Sequence, residues 1–156
     1  MQHPAHRGPR WYLATMATLT ALLAFASAWT AFAQSMDSGA TVGAIEHPER
    51  GMVLTDGAGM TLYVFTPDRE AGNVTTCFED DGCTDVWPPV IVDGDLVVPE
   101  EVTGVLGLQE RPDGMGWQLT YNGRPLYYYV FDRRPGDFTG DRVVDTWGPW
   151  FAVPIQ

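Results

Sequence analysis

The sequence contains no lysine, and its nine basic residues are all arginine against 20 acidic ones, for a formal net charge of −11. That shortage of positive charge excludes general affinity for nucleic acid and for anionic membrane surfaces, both of which are bound through basic patches that displace counterions. Beyond residue 33 the sole histidine is His47, and the sole serines are Ser35 and Ser38. A serine or thiol nucleophile needs an adjacent base, usually histidine, so the familiar triads cannot be assembled. A zinc site lacks ligands for the same reason. With no catalytic residue in sight, the expectation is a protein that is not an enzyme.

The amino terminus has a definite pattern. Arg7 and Arg10 precede an apolar stretch from Trp11 to Phe32, and Ala31-Phe32-Ala33 supplies a small-x-small cleavage site, so residues 1–33 read as an export signal. The stretch is also long enough to span a bilayer, which takes ~20 apolar residues, and membrane attachment follows only if it is retained. No cysteine lies near the site to carry a lipid. Cleavage leaves enough chain for one ordinary domain, periplasmic or secreted.

Cys77 and Cys83 are the only cysteines. An oxidising compartment favours their pairing, which would close the short acidic loop Phe78-Glu79-Asp80-Asp81-Gly82. The alternative is a thiolate metal site or a redox pair, though the spacing is not that of Cys-x-x-Cys motifs.

Residues 34–50 are read as a flexible leader, with the domain spanning 51–156. An internal repeat dominates it. GMVLTDGAGMTLYVFTPDR, from Gly51, matches GWQLTYNGRPLYYYVFDRRPG, from Gly116, and both copies obey Tyr-x-aromatic-x-x-Asp through Tyr63, Phe65, Asp68 and Tyr127, Tyr129, Asp132. Trp87-Pro88-Pro89 finds a looser counterpart in Trp147-Gly148-Pro149, giving halves of about 51–98 and 116–156. The segment between them, with Val102, Val105, Leu106 and Leu108, is assigned to a short helix or turn.

Asp56-Gly57 and Asn122-Gly123 are pairs that tolerate positive φ and predict a hairpin opening each half. Alternation places Tyr63 and Phe65 on one face of a strand and Leu62 and Val64 on the other, both faces at least partly buried. Thr66-Pro67-Asp68-Arg69 and the Asp132 to Gly136 segment predict turns. With 12 proline and 17 glycine, long helices are disfavoured. The predicted fold is all-β, built of short antiparallel strands and hairpins, with two homologous halves packed about a pseudo-two-fold axis and one disulfide.

These features together, Leu62-Tyr63-Val64-Phe65 with Asp68, the cysteine pair before Trp87-Pro88-Pro89, and Tyr121 to Tyr129 with Asp132 and Gly136-Asp137, resemble a bacterial family of secreted repeats described as predicted lipoproteins carrying the Tyr-x-aromatic-x-x-Asp motif. The resemblance implies an exported envelope protein of unknown biochemical activity. This chain departs from the lipoprotein members in lacking a lipidation cysteine.

Several residue sets are candidates for a site. Asp137, Asp141 and Asp145 follow Asp132 through a glycine-containing loop, and calcium takes six to eight oxygens, so calcium is a candidate cofactor. The spacing is not that of an EF-hand, and a solvated acidic loop is the alternative. Glu79, Asp80, Asp81 and Asp85 form a second acidic cluster. Trp87, Trp117, Trp147 and Trp150 are candidate stacking platforms for a glycan, and paired carboxylates for its hydrolysis. Met52, Met60 and Met115 are candidate soft ligands for copper. Asp68 and Asp132 are expected to fix turns through backbone N–H groups. The expected partner is an envelope protein or a glycan.

Overall fold

The computed structural model describes residues 42–155; the predicted export signal, residues 1–33, and residues 34–41 of the predicted leader lie outside the described residues. Strand β1 (Val42–His47) pairs antiparallel with β2 (Gly51–Asp56), in a register from Val42 opposite Asp56 to His47 opposite Gly51. The chain reverses between them on Gly51 at φ 69°, a conformation glycine adopts without steric cost. Val42 is fully buried beside Leu54 and Leu62. Residues 42–50 are therefore not leader: a strand whose apolar side chains enter the core belongs to the domain.

Strand β3 (Tyr63–Phe65) leads into helix α1 (Thr66–Glu70), where a turn is predicted; Pro67, in its first turn, has the φ a helix start requires. A second single-turn helix, α2 (Cys83–Val86), follows the acidic loop. The segment assigned to a short helix or turn instead contains β4 (Leu106–Glu110), which pairs with β5 (Trp117–Tyr121). Its few apolar residues are satisfied by a neighbouring strand, and tertiary pairing overrides a weak helical pattern. The Asn122-Gly123 turn, with φ 50° and 79°, then returns the chain to β6 (Arg124–Pro125). The last strand is β7 (Trp150–Ala152), paired with β3.

Equivalent backbone bonds define the correspondence between the repeats. Leu62 N–H donates to Leu54 O (3.0 Å) and Leu126 N–H to Leu119 O (2.9 Å), so each repeat opens with the same hairpin. Leu54 N–H donates to Val153 O (2.9 Å), and Leu119 N–H to Val90 O (2.8 Å). Val90 is thus equivalent to Val153, three residues beyond Trp87 and Trp150 respectively. Trp150, and not Trp147, is the counterpart of Trp87.

The same bonds show an exchange: the closing segment of each repeat lies against the opening hairpin of the other. At the centre, Tyr63 and Tyr127 donate N–H to each other's carbonyl, both at 2.9 Å. Strand alternation then separates two cores. One holds Leu54, Leu62, Val64, Leu119, Leu126 and Val153; the other holds Tyr63, Phe65, Tyr127, Trp87, Trp150 and the bridged Cys77 and Cys83.

Because neither repeat completes its own sheet, residues 42–98 and 99–156 expressed separately are expected to lack cooperative unfolding. Mixing them should restore it, as followed by near-ultraviolet circular dichroism, whereas an isolated half with a sharp thermal transition would contradict the exchange.

Candidate functional site

The aromatic core is organised by the repeated motif. Phe65, Trp150, Trp87 and Tyr129 stack in one column, with centroid separations of 4.0, 4.0 and 4.2 Å. The order alternates between repeats, and the indoles of Trp87 and Trp150 meet in the middle, 6° from parallel. Tyr63 presents its edge to Trp87 and Tyr127 to Trp150. Such offset and edge contacts add about 0.5–1.5 kcal/mol per pair beyond area burial.

The motif carboxylates are buried and shared across the repeats. Tyr63 Oη donates to Asp132 Oδ2 at 2.6 Å, and Tyr127 Oη donates to Asp68 Oδ2 at 2.7 Å. The other oxygen of each aspartate receives a threonine: the N–H and Oγ1 of Thr76 bind Asp68 Oδ1, and those of Thr139 bind Asp132 Oδ1. Each motif aspartate thus fixes its own following loop and anchors the tyrosine of the other copy. The first role belongs to the turn-fixing chemistry expected of these residues; the second depends on how the halves meet.

Arg111, whose side chain is fully buried, extends the network on one side. It donates through Nη1 to Thr75 Oγ1 (3.1 Å) and Gln118 Oε1 (2.8 Å), and through Nη2 to Cys77 O (2.9 Å). Tyr127 gives its only hydroxyl proton to Asp68, so the 2.6 Å contact between Thr75 and Tyr127 makes Thr75 the donor. A chain of donors runs from Arg111 through Thr75 and Tyr127 to Asp68. Burial raises the Asp68 pKa, opposed by the Tyr127 and Thr76 hydrogen bonds and the Arg111 charge. The Arg111 guanidinium holds Asp113 below the usual carboxylate range. Nothing in the sequence singled out Arg111, because arginine is ordinarily exposed.

In the second repeat Gly140 follows Thr139 as Cys77 follows Thr76, and its N–H donates to Tyr63 Oη (3.2 Å). A Cβ at Gly140 would lie 2.9 Å from the Tyr63 ring and 3.0 Å from that of Trp87.

The remaining sequence candidates are dispersed. Asp137 accepts the N–H groups of Arg133 and Arg134. Asp141 binds Arg50 and the N–H of Ala152. Asp145 binds Trp87 Nε1 and the N–H groups of Trp147 and Gly148. The three carboxylates proposed for calcium thus serve three different tasks, and among the described residues no three His, Cys, Asp or Glu side chains converge as a metal site. That corrects the assignment of Asp137, Asp141 and Asp145 to a metal; of the second cluster, Glu79, Asp80 and Asp81 lie in the loop before α2, where Asp81 accepts Cys83 N–H, and Asp85 lies in α2 itself.

Of the tryptophans, Trp87 and Trp150 are buried, Trp147 donates to Asp81 O, and Trp117 is half exposed. Met52 lies on β2, Met60 in the loop after it, and Met115 in the β4–β5 turn.

A cleft of about 460 Å3 opens elsewhere, floored by Val64, Ala152 and Val153 and rimmed by Arg50, Arg69 and Arg124. Arg69 comes from α1, Arg124 from β6 and Arg50 from the β1–β2 turn. Burial lowers the Arg124 pKa, and the charge of Arg69 lowers it further. Sequence reasoning missed this site, since its arginines are far apart in the chain and belong to no motif.

Fold and site together define a tandem β-repeat, with one disulfide inside its first copy, whose two copies complete one another. The family model described as a secreted repeat of unknown function matches residues 45–91 and 107–153, and the chain belongs to that family. Both matched segments reach back into the strands, β1 and β4, that precede the repeats seen in sequence. No curated protein and no solved structure matches the chain.

Two predictions arise from the buried pairs. Tyr63→Phe or Tyr127→Phe leaves a buried carboxylate short of a donor and is expected to cost about 1–3 kcal/mol in urea unfolding. A double-mutant cycle of Tyr63→Phe with Asp132→Asn should reveal coupling, and strict additivity would contradict the pairing. Burial and the aspartates raise the Tyr63 and Tyr127 pKa values well above the ordinary 10.0. The unfolded chain therefore loses these protons first. Their contribution to stability is intact below pH 10 and falls above it, by about 1.4 kcal/mol per pH unit for each tyrosine. Alkaline unfolding monitored by circular dichroism should coincide with a late step of tyrosinate absorbance, and that step should shrink in the phenylalanine variants.

Proposed function

We propose that this secreted protein is a non-catalytic domain of the bacterial cell envelope, delivered by cleavage of its amino-terminal signal, that works as a binding or structural module. One observation carries the proposal: the repeated Tyr-x-aromatic-x-x-Asp side chains are closed against each other across the repeats. A general acid or base must reach a substrate proton at hydrogen-bond distance, directly or through one water. Asp68 and Asp132 are buried and spend their oxygens on tyrosine and threonine, so the chemistry of the motif is architectural. The partner is an envelope protein or glycan that meets the surface rather than the motif.

Thermal unfolding of the purified domain tests this. Chelator, calcium and copper are expected to leave the midpoint unchanged, and panels of glycans, esters and peptides are expected to be recovered intact. Turnover abolished by Asp132→Asn in a variant that keeps its circular dichroism spectrum would overturn the proposal. Sequencing the exported form should find Gln34 at its amino terminus.

A further inference from the structure

In a chain of net charge −11 without a lysine, three arginines rim one recess. Their partners distinguish them. Arg50 is held by Asp141, with Nε 2.9 Å from Oδ2. Among the described residues, Arg69 and Arg124 form no ion pair with a carboxylate. Arg124 Nε is buried with no hydrogen-bond acceptor among the described residues, an arrangement that ordinarily costs a folded protein stability. The nearby Asp68 carboxylate is already occupied by Tyr127 and Thr76. Arg69, which is exposed, adds a like charge whose repulsion reaches Arg124.

Two like charges close enough for one to depress the other's pKa, one of them partly dehydrated, would be disfavoured if this were only a scaffold. A bound oxyanion would offset the repulsion between the two charges and supply the acceptor that neither guanidinium finds in a carboxylate of the described residues, since guanidinium presents paired donors that match carboxylate and phosphate oxygens. The floor is apolar, formed by Val64, Ala152 and Val153. The volume, about 460 Å3, is that of a small-molecule site.

We infer that the cleft between α1, β6 and β7 binds a small amphiphilic anion, with its phosphate or carboxylate group on Arg69 and Arg124 and its apolar body against Val64 and Val153. The inference deepens the proposed binding role and rests on it.

The full mature domain, titrated calorimetrically with hexyl phosphate, hexanoate, inorganic phosphate and hexanol at low salt, provides the test. One or both amphiphilic anions should bind more tightly than inorganic phosphate, hexanol should not bind, and the preference between the two anions identifies the head group. Arg69→Gln and Arg124→Gln should each weaken binding by about tenfold or more, the loss expected for a charge-assisted hydrogen bond. Affinity should fall as salt is raised.

The unliganded stability of Arg69→Gln gives a second readout. Removing the repulsion should raise its thermal midpoint at low salt while affinity drops, a combination that a purely structural arginine would not produce. Arg69 is exposed, so this variant serves even if Arg124→Gln fails to fold. Absence of amphiphile binding, or affinity unchanged in Arg69→Gln, overturns the site and leaves the non-catalytic reading standing. Release of inorganic phosphate from hexyl phosphate does the reverse, upholding the site and ending the non-catalytic reading.

Discussion

Each motif tyrosine donates its phenolic proton to the motif aspartate of the other repeat, and the rest of the structure is arranged around that exchange. A buried carboxylate is costly unless its oxygens are satisfied. Here one oxygen is taken by threonine from the same repeat and the other by tyrosine from the opposite one. The cost of burial is thereby turned into a condition on assembly, because either carboxylate is short of a donor until both halves are in place. The reciprocal backbone pair of Tyr63 and Tyr127 and the central stack of Trp87 on Trp150 lie at the same junction. Strand exchange enforces it from outside, with Val90 and Val153 each bonded to the hairpin of the other repeat.

The two halves share their hairpin and strand pairing, although helices α1 and α2 belong to the first alone, and their chemistry differs where the network meets its surroundings. Cys77 is tied to Cys83 beside the buried Arg111, whereas the equivalent position in the second repeat is Gly140, packed too closely on Tyr63 and Trp87 to carry a side chain. Trp87 Nε1 finds Asp145, while Trp150 Nε1 is buried without a hydrogen-bond partner among the described residues. Arg111 is fully satisfied by Thr75, Gln118, Cys77 and Asp113, while Arg124 is not. Symmetry accounts for the core, and departures from it are concentrated among polar groups. The arginine cleft is one such departure, and it is separate from the motif that makes the repeats recognisable.

The sequence by itself determined the repeat, the hairpin at Asn122-Gly123, the pairing of the only two cysteines and the β-rich class, because each rests on local chemistry: spacing, turn conformation, alternation along a strand. It placed Tyr63 and Phe65 on the opposite face from Leu62 and Val64, and those faces became the two cores. It read residues 42–47 as leader and residues 106–110 as connector, since a short strand without a strong pattern acquires its identity only from its neighbour. It paired Trp87 with Trp147 on resemblance of the adjoining residues, where hydrogen bonding selects Trp150. Only tertiary structure decided that Asp68 and Asp132 serve opposite repeats, that Asp137, Asp141 and Asp145 separate, and that Arg69 and Arg124 share a cleft. Those outcomes depend on which distant groups meet in space, and a one-dimensional pattern carries no record of a contact made 59 or 69 residues away.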